Sequence, residues 1–315
     1  MNFKTARLVA VIMGLAWFAA CKSTTAPSEE EQKSAAADES KPYDPNMWEK
    51  GQPTSLGYFL AELDKSMRAW TNLTLTAQSH ADRAKASKLQ KDLMTRVNAR
   101  RQELVDTLES GPPRNRVIAA GALGFSASNE VQGPLIVALG DDNPEIVQNA
   151  ALSLALLQNP QTPMLPLLEI LQGHPNGQAR ANACYAVRTI LEAGAPAGED
   201  IVKAARNALV DTEPFAQAQA ALILAMAGDG ESIPHLSELL AGDSPLVISA
   251  ALQALVALGR DNQALLGPAA RALVAGFGTV PRDSRDAVQR ALVLISGHNY
   301  AEDVGAWAEW SQRLP

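Results

Sequence analysis

The stretch DDNPEIVQNAALSLALL, residues 141–157, decides the fold of this chain. Two aspartates and an asparagine precede Pro144, and an aliphatic run containing the pair Ala151-Leu152 follows it. Asp or Asn before a helix accepts hydrogen bonds from its free N–H groups, and proline fits the first turn because its missing N–H has no partner there. The polar turn recurs at His174-Pro175-Asn176, at Asp211-Thr212-Glu213-Pro214 and at Asp243-Ser244-Pro245. A small residue before a larger apolar one recurs as well, at Ala122-Leu123, Ala151-Leu152, Cys184-Tyr185, Ala221-Leu222, Ala251-Leu252 and Ala291-Leu292. The steps are 29, 33, 37, 30 and 40 residues. Such a period on alanine- and leucine-rich helices is the mark of stacked helical hairpins, none able to bury its apolar face without a neighbour.

Each unit reads as two helices. Pro134, Pro166, Pro234 and Pro268 open second helices, while Asp200 caps the second helix of the third unit. Units begin near Arg114, Pro144, Asn176, Pro214, Pro245 and Arg282. Hydrophobic content of 47% with only 5% aromatics fits alanine–leucine packing and argues against a β-rich domain. The fold class is therefore all-α, an α-solenoid of about six repeats over residues 113–315, preceded by an N-terminal long-helix hairpin cap over residues 48–112.

Paired short helices of wandering repeat length resemble HEAT repeats, especially the short HEAT-like units of bacterial proteins. The stricter length and aromatic pattern of tetratricopeptide units is missing, and so is the Thr-Pro-Leu-His of ankyrin. The closing stretch, Gly297-His298-Asn299-Tyr300 through Trp307 and Trp310, is similar to the last unit of some bacterial HEAT-repeat proteins, where a Trp-x-x-Trp helix ends the array. Trp307 and Trp310 share one helical face and are expected to cover the open end of the last core; the alternative is ligand stacking.

The first 20 residues read as a lipoprotein signal peptide. Lys4 and Arg7 form a basic start and Leu8 to Ala20 an apolar run of 13, too short for the roughly 20 residues a bilayer requires. Phe18-Ala19-Ala20-Cys21 resembles a bacterial lipobox, which implies that Cys21 carries the lipid; Phe18 stands where leucine is usual. Lys22 after the cysteine, in place of an aspartate, implies anchoring at the outer membrane facing the periplasm. Residues 21–47 are expected to be a disordered tether: from Lys22 to Lys41 they hold no aromatic or large aliphatic side chain. Tyr43, Pro45, Met47 and Trp48 then read as a fold-back cap on the first helix, or as a docking motif.

Leu56, Phe59, Leu60, Leu63, Met67 and Trp70 form one helical stripe, capped by Thr54 or Ser55, and Leu89, Leu93, Val97, Leu104 and Leu108 form a second. The second helix bears Arg83, Lys85, Lys88, Lys91, Arg96, Arg100 and Arg101. At 100° per residue these charges scatter around the helix, so a solvated surface is expected before any contact with anionic lipid.

Site chemistry is sparse. None of His80, His174, His235 and His298 precedes a glutamate, so the His-Glu pairs of HEAT-repeat di-iron hydroxylases are missing, and no HExxH motif exists. Residues 111–315 carry 12 Lys and Arg against 20 Asp and Glu, which speaks against the basic wall of HEAT-like DNA glycosylases. HEAT-like bilin lyases act in the cytosol, which a lipoprotein signal contradicts. His235 with Glu238 is a weak acid–base candidate. Arg180, Arg188, Lys203 and Arg206 either bind acidic groups or pair with Glu192 and Glu199. Cys184 fills a small-residue slot and needs no reactivity. The loops at Ala193–Glu199 and Gly276–Asp286 are the longest insertions and the best guesses for partner contacts.

The expectation is a non-catalytic, lipid-anchored envelope scaffold that binds a protein partner through a concave surface of second helices, with no catalytic residue, cofactor, metal or nucleic acid. With Lys4 and Arg7 removed the net charge moves from −7 to −9, favouring basic or neutral partners. The alternatives are an enzyme or small-ligand binder with its site in the groove, and a structural envelope spacer.

Overall fold

The computed structural model describes residues 55–315. The signal peptide, Cys21, the tether and the Tyr43–Trp48 motif lie outside the described residues. Among the described residues every regular element is helical, and the chain divides into two compact units at Ala122/Leu123.

The first unit contains α1 (Leu56–Thr76), α2 (His80–Ala99), α3 (Arg101–Ser110) and α4 (Pro113–Ala122). Ser55 opens α1 by accepting the Tyr58 N–H at 3.3 Å. Its stripe is buried as expected, through Phe59, Leu60, Leu63, Met67 and Trp70. This face packs on α2 and α4. The second stripe does not run through one helix. The chain leaves helical geometry at Arg100 (φ −126°, ψ 31°), so Leu93 and Val97 belong to α2 and Leu104 and Leu108 to α3. Arg116 then ties α4 back to α3, its Nε donating to the Leu108 carbonyl at 2.8 Å.

The second unit starts with a 3-10 turn, Leu123–Phe125, and carries α5 (Gln132–Ala138), α6 (Pro144–Leu157), α7 (Leu165–Gly173), α8 (Gly177–Glu192), α9 (Glu199–Ala208), α10 (Pro214–Met226), α11 (Ile233–Leu239), α12 (Pro245–Asp261), α13 (Gln263–Thr279), α14 (Arg285–Ser296) and α15 (Val304–Gln312). The even-numbered first helices α6 to α14 stack side by side, each on the next. The second helices α7, α9 and α11 pack chiefly against the first helix of the following unit, α8, α10 and α12, whereas α13 packs chiefly on the first helix of its own unit, α12. Through the stacked first helices burial propagates from unit to unit.

The small residues explain this order. Ala151, Cys184, Ala221 and Ala251 are fully buried on first helices, where a thin side chain lets neighbouring helices approach. Gly124 extends the same logic: a Cβ there would lie 2.8 Å from the Ser153 Cα. The array is thus an α-solenoid of helical hairpins whose first helices form its interior.

Two start signals, Asp200 and Pro268, behave differently from the sequence reading: α9 has Gly198 as its N-cap, so Asp200 lies inside the first turn instead of capping it. Pro166 and Pro234 sit in the first turn of α7 and α11. Pro268, in contrast, lies inside α13, which starts five residues earlier because Asn262 accepts the Ala264 N–H at 3.0 Å. The expected insertion Gly276–Asp286 also contracts, since α13 continues to Thr279. Gly276 packs close to Leu240: a Cβ would meet its Cδ1 at 2.6 Å, so that side chain would have to shift.

Candidate functional site

The solvent face of the repeat unit is carried largely by its second helices. Val137 on α5, Leu165 and Glu169 on α7, Lys203 and Asn207 on α9, Val210 just beyond it, His235 and Glu238 on α11 and Arg271 on α13 are all exposed. Val137, Leu165 and Val210 keep 77%, 65% and 78% of their surface accessible, far above the core aliphatics behind them. First helices present little; in α8 every residue from Ala181 to Leu191 is buried. The loop after α8 is exposed from Pro196 to Gly198, and Gly194 permits its sharp exit with φ +109°. The candidate interaction surface is therefore the row of second helices together with that loop.

Behind this surface, arginines of the third repeat lock it to the fourth. Arg180 on α8 meets Asp211 in the next inter-repeat turn through two bonds, Nε to Oδ2 at 2.7 Å and Nη2 to Oδ1 at 2.8 Å. Burial works to raise the Asp211 carboxyl, but hydrogen bonds from the Arg180 side chain and the Glu213 N–H win and hold it below the ordinary carboxylate value. Arg188 is 3% exposed; it donates to Gln219 on α10 and to Glu192, and lies 5.3 Å from the Tyr185 ring centroid. Arg206 on α9 reaches the loop before α11, with Nε 2.8 Å from Asp229 Oδ2 and Nη1 2.7 Å from Glu231 Oε2. The Asp229 hydrogen bond raises the Arg206 guanidinium above its ordinary value.

Of the sequence candidates, then, Arg188 alone takes the expected partner, Glu192. Arg180 and Arg206 pair with Asp211 and Asp229, and Lys203 is exposed on the candidate surface. These three guanidiniums are spent on internal contacts and serve as positioning groups.

A polar register went unread in the sequence. Three residues before the large member of every pair but the first stand Asn149, Asn182, Gln219, Ser249 and Gln289. Asn182 Nδ2 donates to the Gln148 carbonyl of the preceding repeat at 3.3 Å and its Oδ1 accepts from Gln178 at 2.8 Å, while Gln219 Oε1 accepts from Arg188. Aligning the repeats on their Ala-Leu pairs exposes this row directly. Among the described residues, Gln178 Oε1 is the buried side-chain oxygen left without a hydrogen bond.

The remaining candidates separate clearly. His235 and Glu238 are both exposed on a helix of seven residues. Cys184 is fully buried with Sγ 3.6 Å from the Ala216 carbonyl, and burial pushes its thiol well above the ordinary range, so it is unreactive in the folded state. Trp307 is buried, bonds the Ala301 carbonyl through Nε1 at 3.0 Å, and packs edge-on to Tyr300 and Trp310. Its helix, α15, packs on α13, and Trp310 is only half-buried. Arg271 on α13 holds that closing segment, donating to the Ser311 and Leu314 carbonyls. In the first unit Arg83, Lys85, Lys88 and Lys91 are exposed, whereas Arg96 bonds Ser66 and Arg100 pairs with Glu103 over the Phe59 ring. Among the described residues no group of three His, Cys, Asp or Glu side chains is placed to hold a metal ion, and no helix is long and apolar enough to cross a membrane.

These features define a repeat protein with a cross-linked interior, held by arginine hydrogen bonds between repeats, and an uneven outer row. The family of HEAT repeats matches residues 164–256, the span from α7 into α12. No curated protein matches the chain. Among solved structures, an engineered protein aligns at 20% identity over 62% of this chain and 98% of its own, with a TM-score of 0.46. The CpcE–CpcF complex of phycocyanin lyase from Nostoc aligns at 19% identity over 82% of this chain and 98% of that chain, TM-score 0.41. Human deoxyhypusine hydroxylase in complex with glycerol does so at 19% over 93% and 97%, TM-score 0.35. At these scores none of the three likenesses carries an argument about activity.

Proposed function

We propose that this chain is a lipid-anchored scaffold of the bacterial cell envelope, non-catalytic, which holds a protein partner on the outer row of its second helices. The carrying observation is the contrast between a repeated frame and an unrepeated surface. Inside, small residues and caps recur from unit to unit; outside, Val137, Leu165, Glu169, Lys203, Val210 and Glu238 follow no common chemistry. Exposed aliphatics beside mixed charges suit selection of a partner by side-chain complementarity. Attachment through Cys21 at the outer membrane supplies position, and the tether supplies reach, on the order of 25 Å for about 20 residues of flexible chain.

The test is photo-crosslinking in the native envelope from a probe at Leu165 or Val210. Protein adducts that disappear when the other position is changed to Glu support the reading, and adducts to lipid and self alone overturn it. The anchor is tested separately: Cys21→Ala should leave the membrane fraction or stay as precursor, and wild-type membrane retention of a processed chain would refute lipidation.

A further inference from the structure

Three inter-repeat turns use one backbone device. Before α6, Asp141 Oδ1 accepts the Asn143 N–H at 2.9 Å; before α10, Asp211 Oδ1 accepts the Glu213 N–H at 2.8 Å. Before α8 the equivalent acceptor is His174, whose Nδ1 takes the Asn176 N–H at 3.1 Å. In each turn the acceptor stands two residues ahead of the amide it holds, and that amide belongs to the N-cap residue of the next first helix. The chemical difference is protonation. A carboxylate accepts throughout the range above about pH 4, whereas an imidazole nitrogen accepts only while the ring is neutral, and histidines take up a proton between about pH 5 and 8.

We propose that His174 makes the turn between the second and third repeats a proton-sensitive joint, closed while the ring is neutral and loosened when it is protonated. Asn176 is the hub on which this acts. Its Oδ1 caps α8 by accepting the Ala179 N–H at 3.0 Å and also accepts from Gln148 of the preceding repeat at 3.2 Å. A protonated His174 turns an N–H toward the Asn176 N–H, so the amide loses its partner and the cap loses its anchor.

Neighbouring charges set the size of the effect. From α8, Arg180 donates to the His174 carbonyl at 2.8 Å and brings a positive charge to the turn. The following turn contributes Asp211, bonded to that guanidinium, and Glu213, which reaches Gly177. The ionisable residues of α6 and α7 are Glu145 and Glu169. Asp211 and Glu213 thus bring negative charge to the guanidinium that bonds the His174 carbonyl. The aspartate turns on either side stay closed over the same range, and the response is confined to one joint of the array.

The test uses the full chain and reads hydrogen exchange of the Asn176 amide and the first turn of α8 at pH 7.5 and 5.5, corrected for intrinsic exchange rates. Protection of Asn176 is expected to fall about tenfold at the lower pH in the wild type and by less than about twofold in His174→Asp, whose carboxylate restores the device of the sister turns. Nitrogen shifts of the imidazole at pH 7.5 supply the second readout: the Nε2–H tautomer is expected. An Nδ1–H tautomer, or an equal loss of protection in wild type and His174→Asp, overturns the proposal.

Discussion

Helices α2 and α8 sit at opposite extremes of burial. Of the 20 residues of α2 only Ala86, Leu93 and Val97 are buried, while α8 buries 12 of its 16, including Asn182, Arg188 and Thr189. The first is an amphipathic helix with one narrow stripe on a neighbour and charges around the rest. The second is wedged between α6 and α10 with α7 packed across it, and its alanines are what make room. The difference teaches how a chain with few aromatics builds a stable interior: it shares each first helix among several neighbours. Polar groups drawn into such a helix must find partners inside, because water does not reach them.

The largest expected effect breaks α8 itself. Arg188→Ala leaves the buried Gln219 and the half-buried Glu192 without their donor and is expected to cost about 3 kcal/mol in urea unfolding. A loss under about 1 kcal/mol would mean that water replaces the guanidinium freely. Next is the clamp beside it. Asp211 is held below the usual carboxylate value of 3.8, so its contribution is complete above that value and lost as pH falls through the lowered one. Asp211→Asn should therefore cost about 2 kcal/mol at pH 7, and the gap to wild type should close progressively below about pH 4 in the same assay. The smallest effect belongs to α2. Lys88→Ala on its exposed side should change stability by no more than about 0.5 kcal/mol, and a larger loss would show that its charges are structural.

The hairpin order was legible because helix starts are written locally. Asn143 before Pro144 and Glu213 before Pro214 place two first helices to the residue. Arg188 with Glu192 was legible for the same reason, being one turn apart. Arg206 with Asp229 was not, since 23 residues separate them and only the stacking of α9 beside the fourth repeat brings them together. Pro268 misled as a helix start because Asn262, a capping residue earlier in the chain, had already opened α13. The span Gly276–Asp286 read as a loop, yet α13 runs on to Thr279, with Gly276 packed close to Leu240. At Arg100 the apolar stripe continues across a break in the helix, and periodicity alone does not register the change of axis.

Cys184 has a practical consequence beyond packing. Its thiol is sealed against the Ala216 carbonyl in the middle of the array, so a thiol-selective reagent meets it only when the third and fourth repeats part. The rate of its labelling is therefore a clock for opening of the array at its centre, silent to fraying at either end, and already present in the natural chain.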